Sequence, residues 1–113
     1  MRAVVAASKH WLDGELIRQH LVQLPVSSTV VISDRNGGDT LVAKIAEEEM
    51  ALHVEKVTVN EENFRKKMIS EVNDEADSAL FFCCSESEDE YLISKYARTH
   101  RIPTEVVLEK FGT

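Results

Sequence analysis

The chain has few cysteines, prolines and glycines, and this scarcity excludes several classes of protein. Its 113 residues include two cysteines, two prolines and four glycines. Cys83 and Cys84 are adjacent, so they cannot join distant segments into a disulfide framework. A chain without such a framework fits a reducing, intracellular compartment. Nor does the sequence contain a low-complexity segment, an internal repeat or a linker rich in proline and glycine.

Long hydrophobic runs are also missing. No apolar stretch approaches the roughly 20 residues that a membrane-spanning helix needs. The amino-terminal segment is interrupted by His10 and Asp13 before it reaches the length of a signal-peptide core. With 43% hydrophobic and 29% charged residues, the composition is that of a globular domain. We therefore expect one cytoplasmic domain, residues 1–113, with no membrane contact.

Positive charge is in short supply. The formal net charge is −7, and most of the excess lies in the second half of the chain. Because the phosphate backbone of nucleic acids is bound by clustered lysine and arginine, this balance argues against general nucleic-acid binding. It is compatible with a basic protein partner.

Short apolar segments alternate with amphipathic ones along the chain. Five segments have the composition of strands: residues 2–7, 28–33, 53–58, 78–83 and 104–108. Four helices are predicted between them, the first three capped by Asp13, Asp39 and Asn60 and the fourth covering residues 88–100. The first, second and fourth strands are nearly continuous apolar runs, which is typical of buried parallel strands. The third and fifth are expected nearer the sheet edges.

This β-α-β-α-β-α-β-α-β order predicts an α/β fold, a Rossmann-like three-layer sandwich with helices on both faces of a parallel sheet. With right-handed crossovers, we expect a five-stranded sheet in the order 3-2-1-4-5. The strand order then reverses between the first and fourth strands. Ligands of such folds bind outside the carboxyl ends of the strands at this point.

The loop after the second strand is the strongest candidate for a ligand site. Gly37 and Gly38 lack a Cβ atom and can bring backbone N–H groups close to a ligand, and a helix begins just after them. Ser8 and Lys9, which follow the first strand, should face the same crevice. The alternative is a glycine-rich turn that only connects a strand to a helix, with a solvated lysine nearby. The ligand-binding hypothesis covers Ser8, Lys9, Asp34, Arg35, Asn36, Gly37, Gly38 and Asp39.

An acidic run follows the fourth strand. Glu86, Glu88, Asp89 and Glu90 place four carboxylates within five positions. Acidic residues suit the amino terminus of a helix, but they repel phosphate groups, at about 1 kcal/mol per pair at ~4 Å in water and more near a protein surface. A solvated helix start is one interpretation, and a surface that binds a basic partner is another.

The remaining reactive residues form no recognisable constellation. The four histidines lie on separate elements without metal-ligand spacing, and Cys83-Cys84 lacks the two-residue gap of a redox or zinc pair. No serine lies in a nucleophile-elbow context. We therefore predict no metal, no cofactor and no catalytic residues. Arg65, in the basic cluster of residues 65–67, either reaches an anionic ligand or belongs to a solvated helix face.

Several of these segments together resemble the YspA-like branch of the SLOG superfamily. Its members open with a strand ending in Gly-Ser-Arg-Asp-Trp, where this chain reads Ala-Ser-Lys-His-Trp at residues 7–11. The following Gly-Gly-Ala-Arg-Gly-Ala-Asp loop corresponds to residues 33–39, which keep the later glycine and the aspartate. Residues 65–68 and 101–103 also match. A third loop, usually Pro-Gly-Gly-x-Gly-Thr, corresponds to residues 85–90, where every glycine is replaced.

The resemblance implies a Rossmann-like domain that binds nucleotides or nucleotide-derived signals, and self-association is expected because many relatives do so. With the third loop altered, we predict a non-catalytic binding module for a small nucleotide-derived ligand. An alternative is an acidic inhibitor or interaction protein, of the kind a phage or mobile element encodes, that uses residues 85–90. A further alternative is an N-glycosidase or nucleoside transferase that uses Asp34, Asp39 or Glu86 as acid or nucleophile.

Overall fold

A computed structural model of the protein describes residues 1–74, 76–84 and 88–109. In these residues five strands alternate with four helices along the chain. The strands are β1 (Arg2–Ala7), β2 (Thr29–Ser33), β3 (His53–Val57), β4 (Ser78–Cys83) and β5 (Thr104–Leu108). The helices are α1 (Gly14–Leu21), α2 (Gly38–Glu48), α3 (Phe64–Asn73) and α4 (Glu88–Thr99).

All strand pairs are parallel, and the sheet order is β3-β2-β1-β4-β5, which confirms the predicted topology. β1 lies at the centre, with Val4 opposite Val31 of β2 and opposite Ala79 of β4. The side chains of β1, β2 and β4 are largely buried, whereas β3 and β5 are partly exposed at the edges. Continuous apolar strands therefore lie where helices cover both faces.

The two faces of the sheet carry separate hydrophobic cores. On one face, α1 and α2 pack through residues such as Ile17 and Ile45. On the other, α3 and α4 pack through Met68 and Ile93. Within the described residues, no helix has the length and apolar character needed to cross a membrane.

Trp11 belongs to the first of these cores. It is buried, its ring centroid lies 5.4 Å from that of Phe82, and its Nε1 donates to the carbonyl oxygen of Asp13 at 2.9 Å. The only tryptophan thus packs under the start of α1, and its ring is not offered to a ligand.

The helix starts differ in part from their predictions. Asp13 caps α1 as expected, since its carboxylate accepts from the N–H of Leu16 at 3.2 Å. The predicted caps Asp39 and Asn60 are wrong, because α2 begins after Gly37 and α3 begins after Asn63. Asp39 turns inward instead of capping. Asn60 and Asn63 bond each other's backbone N–H at 2.8 and 2.9 Å, which forms a turn ahead of α3.

The cap of α1 provides a modest, checkable effect. Replacing Asp13 with alanine should lower the free energy of unfolding by about 1 kcal/mol, because an N–H in the first turn loses its acceptor. Urea denaturation measures this change. Gln19→Ala, an exposed substitution on the same helix, is the matched control and should stay within about 0.5 kcal/mol. Equal midpoints for the two variants would contradict the capping role.

Candidate functional site

The loops that leave β1 and β2 and the first turn of α4 converge on one cleft at the carboxyl edge of the sheet. Its volume is about 700 Å³. Residues 8–10 after β1, residues 34–36 after β2 and residues 88–90 at the start of α4 form three sides. Residues 59–61 and Phe64 close the fourth side. The cleft therefore lies where the strand order reverses, as the topology predicts for a ligand site.

The lining of this cleft carries more negative than positive charge. Among the described residues, two cations, Lys9 and Arg35, face five carboxylates: Asp34, Glu61, Glu88, Asp89 and Glu90. The charge of Arg35 is offset by its pairing with Asp39 and Glu90, so in the described lining Lys9 is the cation without an ion-pair partner. A polyanionic ligand would meet net repulsion here, whereas a neutral ligand would not.

Behind the cleft floor lies a buried polar cluster built around Asp39. This carboxylate has no exposed surface, and Oδ1 accepts from the backbone N–H of Ala7 at 2.7 Å. Oδ2 accepts a short hydrogen bond from the hydroxyl of Ser33 and lies 3.3 Å from Nε of Arg35. Asp39 thus joins β1, β2 and α2, and it binds the fold together rather than a ligand.

Arg35 connects that cluster to α4. Its Nη2 donates to the carbonyl oxygen of Ala7 and to Oε1 of Glu90, both at 2.8 Å. The guanidinium carbon lies 3.8 Å from the ring centroid of Phe64, which places a cation over the face of an aromatic ring. The first turn of α4 is therefore anchored to the loop after β2 through one side chain.

Burial dominates the protonation behaviour of Asp39. Removal from water raises the pKa of this carboxyl to about 6, although Arg35, Ser33 and Ala7 act in the opposite direction. A value near 6 would suit a general acid or base. Asp39 has no surface in the cleft, however, so it is not placed to exchange a proton with an occupant.

Gly37 and Gly38 allow two loops to touch. A Cβ atom on Gly37 would lie 2.3 Å from the carbonyl oxygen of Lys9, and one on Gly38 would lie 2.1 Å from that of Ser8. Gly37 also has a φ of 99°, a backbone conformation that glycine adopts readily and other residues rarely adopt. The amino terminus of α2 is thus packed against the backbone that follows β1. The glycines have a structural use here, and neither lines the cleft.

The structure brings together most of the predicted ligand-binding residues. Ser8, Lys9, Asp34, Arg35 and Asn36 line the cleft, whereas Gly37, Gly38 and Asp39 lie behind it. Ser8 is itself buried. Arg65 stands outside the lining, with Nε 3.3 Å from Oδ1 of Asp89.

The acidic run is not a uniform surface. Glu88 is exposed, Asp89 pairs with Arg65, and Glu90 is 4% exposed and paired with Arg35. Glu86, the remaining member of the predicted partner-binding set, lies outside the described residues. Glu90 is therefore part of the interior and not of an acidic face.

The two cysteines behave as packing residues. Both are buried, and burial raises the pKa of the Cys83 thiol to about 12, with Glu90 and Cys84 adding to the effect. Burial likewise raises the pKa of Cys84. Such thiols are poor nucleophiles at neutral pH. In the described part of the chain, no group of three His, Cys, Asp or Glu residues is arranged to hold a metal ion.

Sequence reasoning missed Phe64 and residues 59–61 as parts of the cleft. Of these residues, Asn60 alone has a role in the sequence-based prediction, as the cap of the third helix. The predicted sheet order placed β3 beside β2, but the path of the chain after β3 depends on contacts such as that of the backbone N–H of Val59, which donates to Oδ1 of Asp34 at 3.0 Å.

Comparison of the chain with protein-family models, with curated proteins and with solved structures finds no match. The resemblance to the YspA-like branch stays a prediction.

Proposed function

We propose that the protein is a non-catalytic binding module for a small nucleoside-type ligand that carries little or no phosphate. The observation that carries this proposal is the cleft, because it combines the position of a Rossmann-type ligand site with an excess of carboxylates. Its volume of about 700 Å³ falls within the usual range for small-molecule pockets. A nucleoside offers neutral polar groups and a flat ring to such a site.

Two features disfavour a phosphate-rich ligand. The amino terminus of α2 packs against the backbone carbonyl oxygens of Ser8 and Lys9, and its glycines do not line the cleft where a phosphate would be held. The amino terminus of α4, which lines the cleft, carries Glu88, Asp89 and Glu90 in its first turn. Acidic residues therefore stand at the start of α4 and, through Glu61, just ahead of the start of α3, where they repel a phosphate.

The same geometry gives less support to the two alternatives, an acidic interaction protein and a glycosidase or nucleoside transferase. An interaction surface made of residues 85–90 loses Glu90 to the interior and Asp89 to Arg65. A glycosidase needs carboxylates of different pKa in one pocket, and Asp39 lies outside the cleft. A site that only binds its ligand needs neither an exposed acidic surface nor a carboxylate that acts as an acid or a nucleophile.

A thermal-shift panel tests the proposal. Nucleosides, their monophosphates and their triphosphates are compared at equal concentration and constant ionic strength. A nucleoside at 100 times its Kd should stabilise the protein by about 2.7 kcal/mol, or about 10 °C for a domain of this size. The triphosphate of the same base should produce a much smaller shift.

A charge variant sharpens the test. Glu61→Gln removes a carboxylate from the cleft lining and should raise the shift caused by a triphosphate, whereas Glu62→Gln, exposed and outside the lining, should not. Stabilisation by triphosphates but not by nucleosides would overturn the proposal. So would a panel in which no compound shifts the unfolding temperature.

A further inference from the structure

Arg35 and Glu90 each have a polar atom that is not hydrogen-bonded to any other described residue and could bind a ligand in the cleft. Arg35 and Glu90 line the cleft with side chains that are 18% and 5% exposed. Their mutual contact uses Nη2 and Oε1, and Nε of Arg35 faces Asp39. Within residues 1–74, 76–84 and 88–109, Nη1 of Arg35 and Oε2 of Glu90 make no hydrogen bond. Since the two side chains are in contact at 2.8 Å, neighbouring residues of the lining offer one donor and one acceptor.

Both side chains are held in place before any ligand arrives. Arg35 is fixed by Ala7, Glu90 and the ring of Phe64, and its backbone N–H donates to the hydroxyl of Ser33 at 3.2 Å. Glu90 is held on the first turn of α4. Groups that are ordered in the free protein lose little conformational entropy on binding, so they can discriminate between similar ligands.

The chemistry of the pair restricts what it can bind. A guanidinium only donates hydrogen bonds, and an ionised carboxylate only accepts them. A matching ligand edge needs a carbonyl oxygen next to an N–H group, which is the arrangement of a lactam. Such an edge carries no formal charge, as the acidic lining of the cleft requires.

We propose that Arg35 and Glu90 read the lactam edge of a nucleobase, as found in hypoxanthine, guanine and uracil. This rests on the proposed binding of a nucleoside-type ligand and names its class. Nη1 of Arg35 donates to the carbonyl oxygen, and Oε2 of Glu90 accepts from the ring N–H. Asp39, which lies behind the cleft, is a positioning residue that holds Arg35, and the ring of Phe64 holds the guanidinium from the cleft wall.

The test compares two ligands on the unmodified protein by isothermal titration calorimetry. Inosine carries the lactam N–H, and 1-methylinosine has a methyl group in its place. Inosine should bind at least tenfold more tightly, because methylation removes the donor and leaves a buried carboxylate oxygen facing a methyl group. Adenosine, which lacks the carbonyl oxygen, should also bind at least tenfold more weakly than inosine.

The outcomes separate this inference from the proposed function. If inosine, 1-methylinosine and adenosine bind equally well, the cleft binds nucleosides but the lactam reading is wrong. If none of them binds, and no other nucleoside does, the proposed function itself fails. In a Glu90→Gln variant the preference for inosine over 1-methylinosine should fall below threefold. Glu62→Gln, which changes the same charge outside the cleft, should retain the full preference.

Discussion

Replacing Gly38 with alanine is expected to lower the free energy of unfolding by about 3 kcal/mol. The added Cβ would lie 2.1 Å from the carbonyl oxygen of Ser8 and 2.8 Å from Cβ of Ala7. Both belong to the end of the central strand, so the clash is with backbone and with a side chain that cannot rotate away. Urea denaturation followed by circular dichroism measures the loss.

The backbone of Ser8 has little freedom to move. Its N–H donates to the carbonyl oxygen of Phe82 at 2.8 Å, and its carbonyl accepts from the N–H of Trp11 at 2.9 Å. A shift that relieves the clash would break one of these bonds or separate α2 from the sheet. Each such bond contributes about 1 kcal/mol, and an orphaned buried group costs more.

Gly14→Ala is the matched control. A Cβ at Gly14 would come within 3.3 Å of Nη1 of Arg18, the far end of a flexible side chain. Alanine also has a better helix propensity than glycine, by up to about 1 kcal/mol. The control variant should be as stable as the unmodified protein or slightly more so. Equal stability of the Gly38→Ala and Gly14→Ala variants would refute the close contact between the two loops.

The strands were predictable because this sheet is buried on both faces. The apolar run of residues 30–32 has no polar side chain to interrupt it, and the polar residues on either side of it mark the ends of the strand to within one residue. The edge strands were identified by the same logic, since charged residues such as Glu55 and Lys56 interrupt β3. Strand order then followed from the alternation of elements and the rule for crossovers.

The interior role of Glu90 was not predicted, and the reason is physical. By composition alone, residues 88–90 are three similar acidic residues. In a helix, however, successive side chains point in directions that differ by about 100° around the helix axis. Glu90 shares its face with Ile93 and Ala97, which follow at the helical spacings of three and seven residues and are buried. A helical projection of α4 could have placed this carboxylate inside. Its partner Arg35 could not have been identified, because that contact depends on packing between distant segments.

The role of Gly37 and Gly38 could not be predicted from the sequence around them. Sequence analysis allowed two uses for Gly37 and Gly38, close approach of a ligand or a connecting turn. The distances to Ser8 and Lys9 give a third, which is close approach of another loop of the same chain. Local sequence contains no trace of this contact, since the touching residues are about 30 positions away.

The other large effect concerns the pH dependence of stability through Asp39. Burial holds the pKa of this carboxyl at about 6 in the folded protein, above its ordinary value of 3.8. The folded state therefore binds this proton more tightly than the unfolded state does. The resulting stabilisation is complete below the unfolded pKa and is lost as the pH rises from about 4 to about 6.

Comparison with Asp39→Asn isolates this contribution. Asparagine has nearly the same shape but does not titrate, so groups elsewhere with lowered pKa, such as Glu49 and Glu55, cancel in the difference. The free energy of unfolding of the unmodified protein, minus that of the variant, should fall by about 2 kcal/mol between pH 4 and pH 7. Urea denaturation at four pH values supplies the two curves.

Asp34→Asn is the control, because Asp34 is an exposed aspartate five positions away. The difference for Asp39→Asn should fall more steeply with pH than the difference for Asp34→Asn. A difference that rises with pH for Asp39→Asn would mean that the ion pair with Arg35 outweighs burial. The direction of the slope therefore decides which of two opposing forces governs the buried cluster. If burial governs, the ionised carboxylate of Asp39 lowers the free energy of unfolding near neutral pH. The same carboxylate holds Arg35 in its fixed orientation at the cleft.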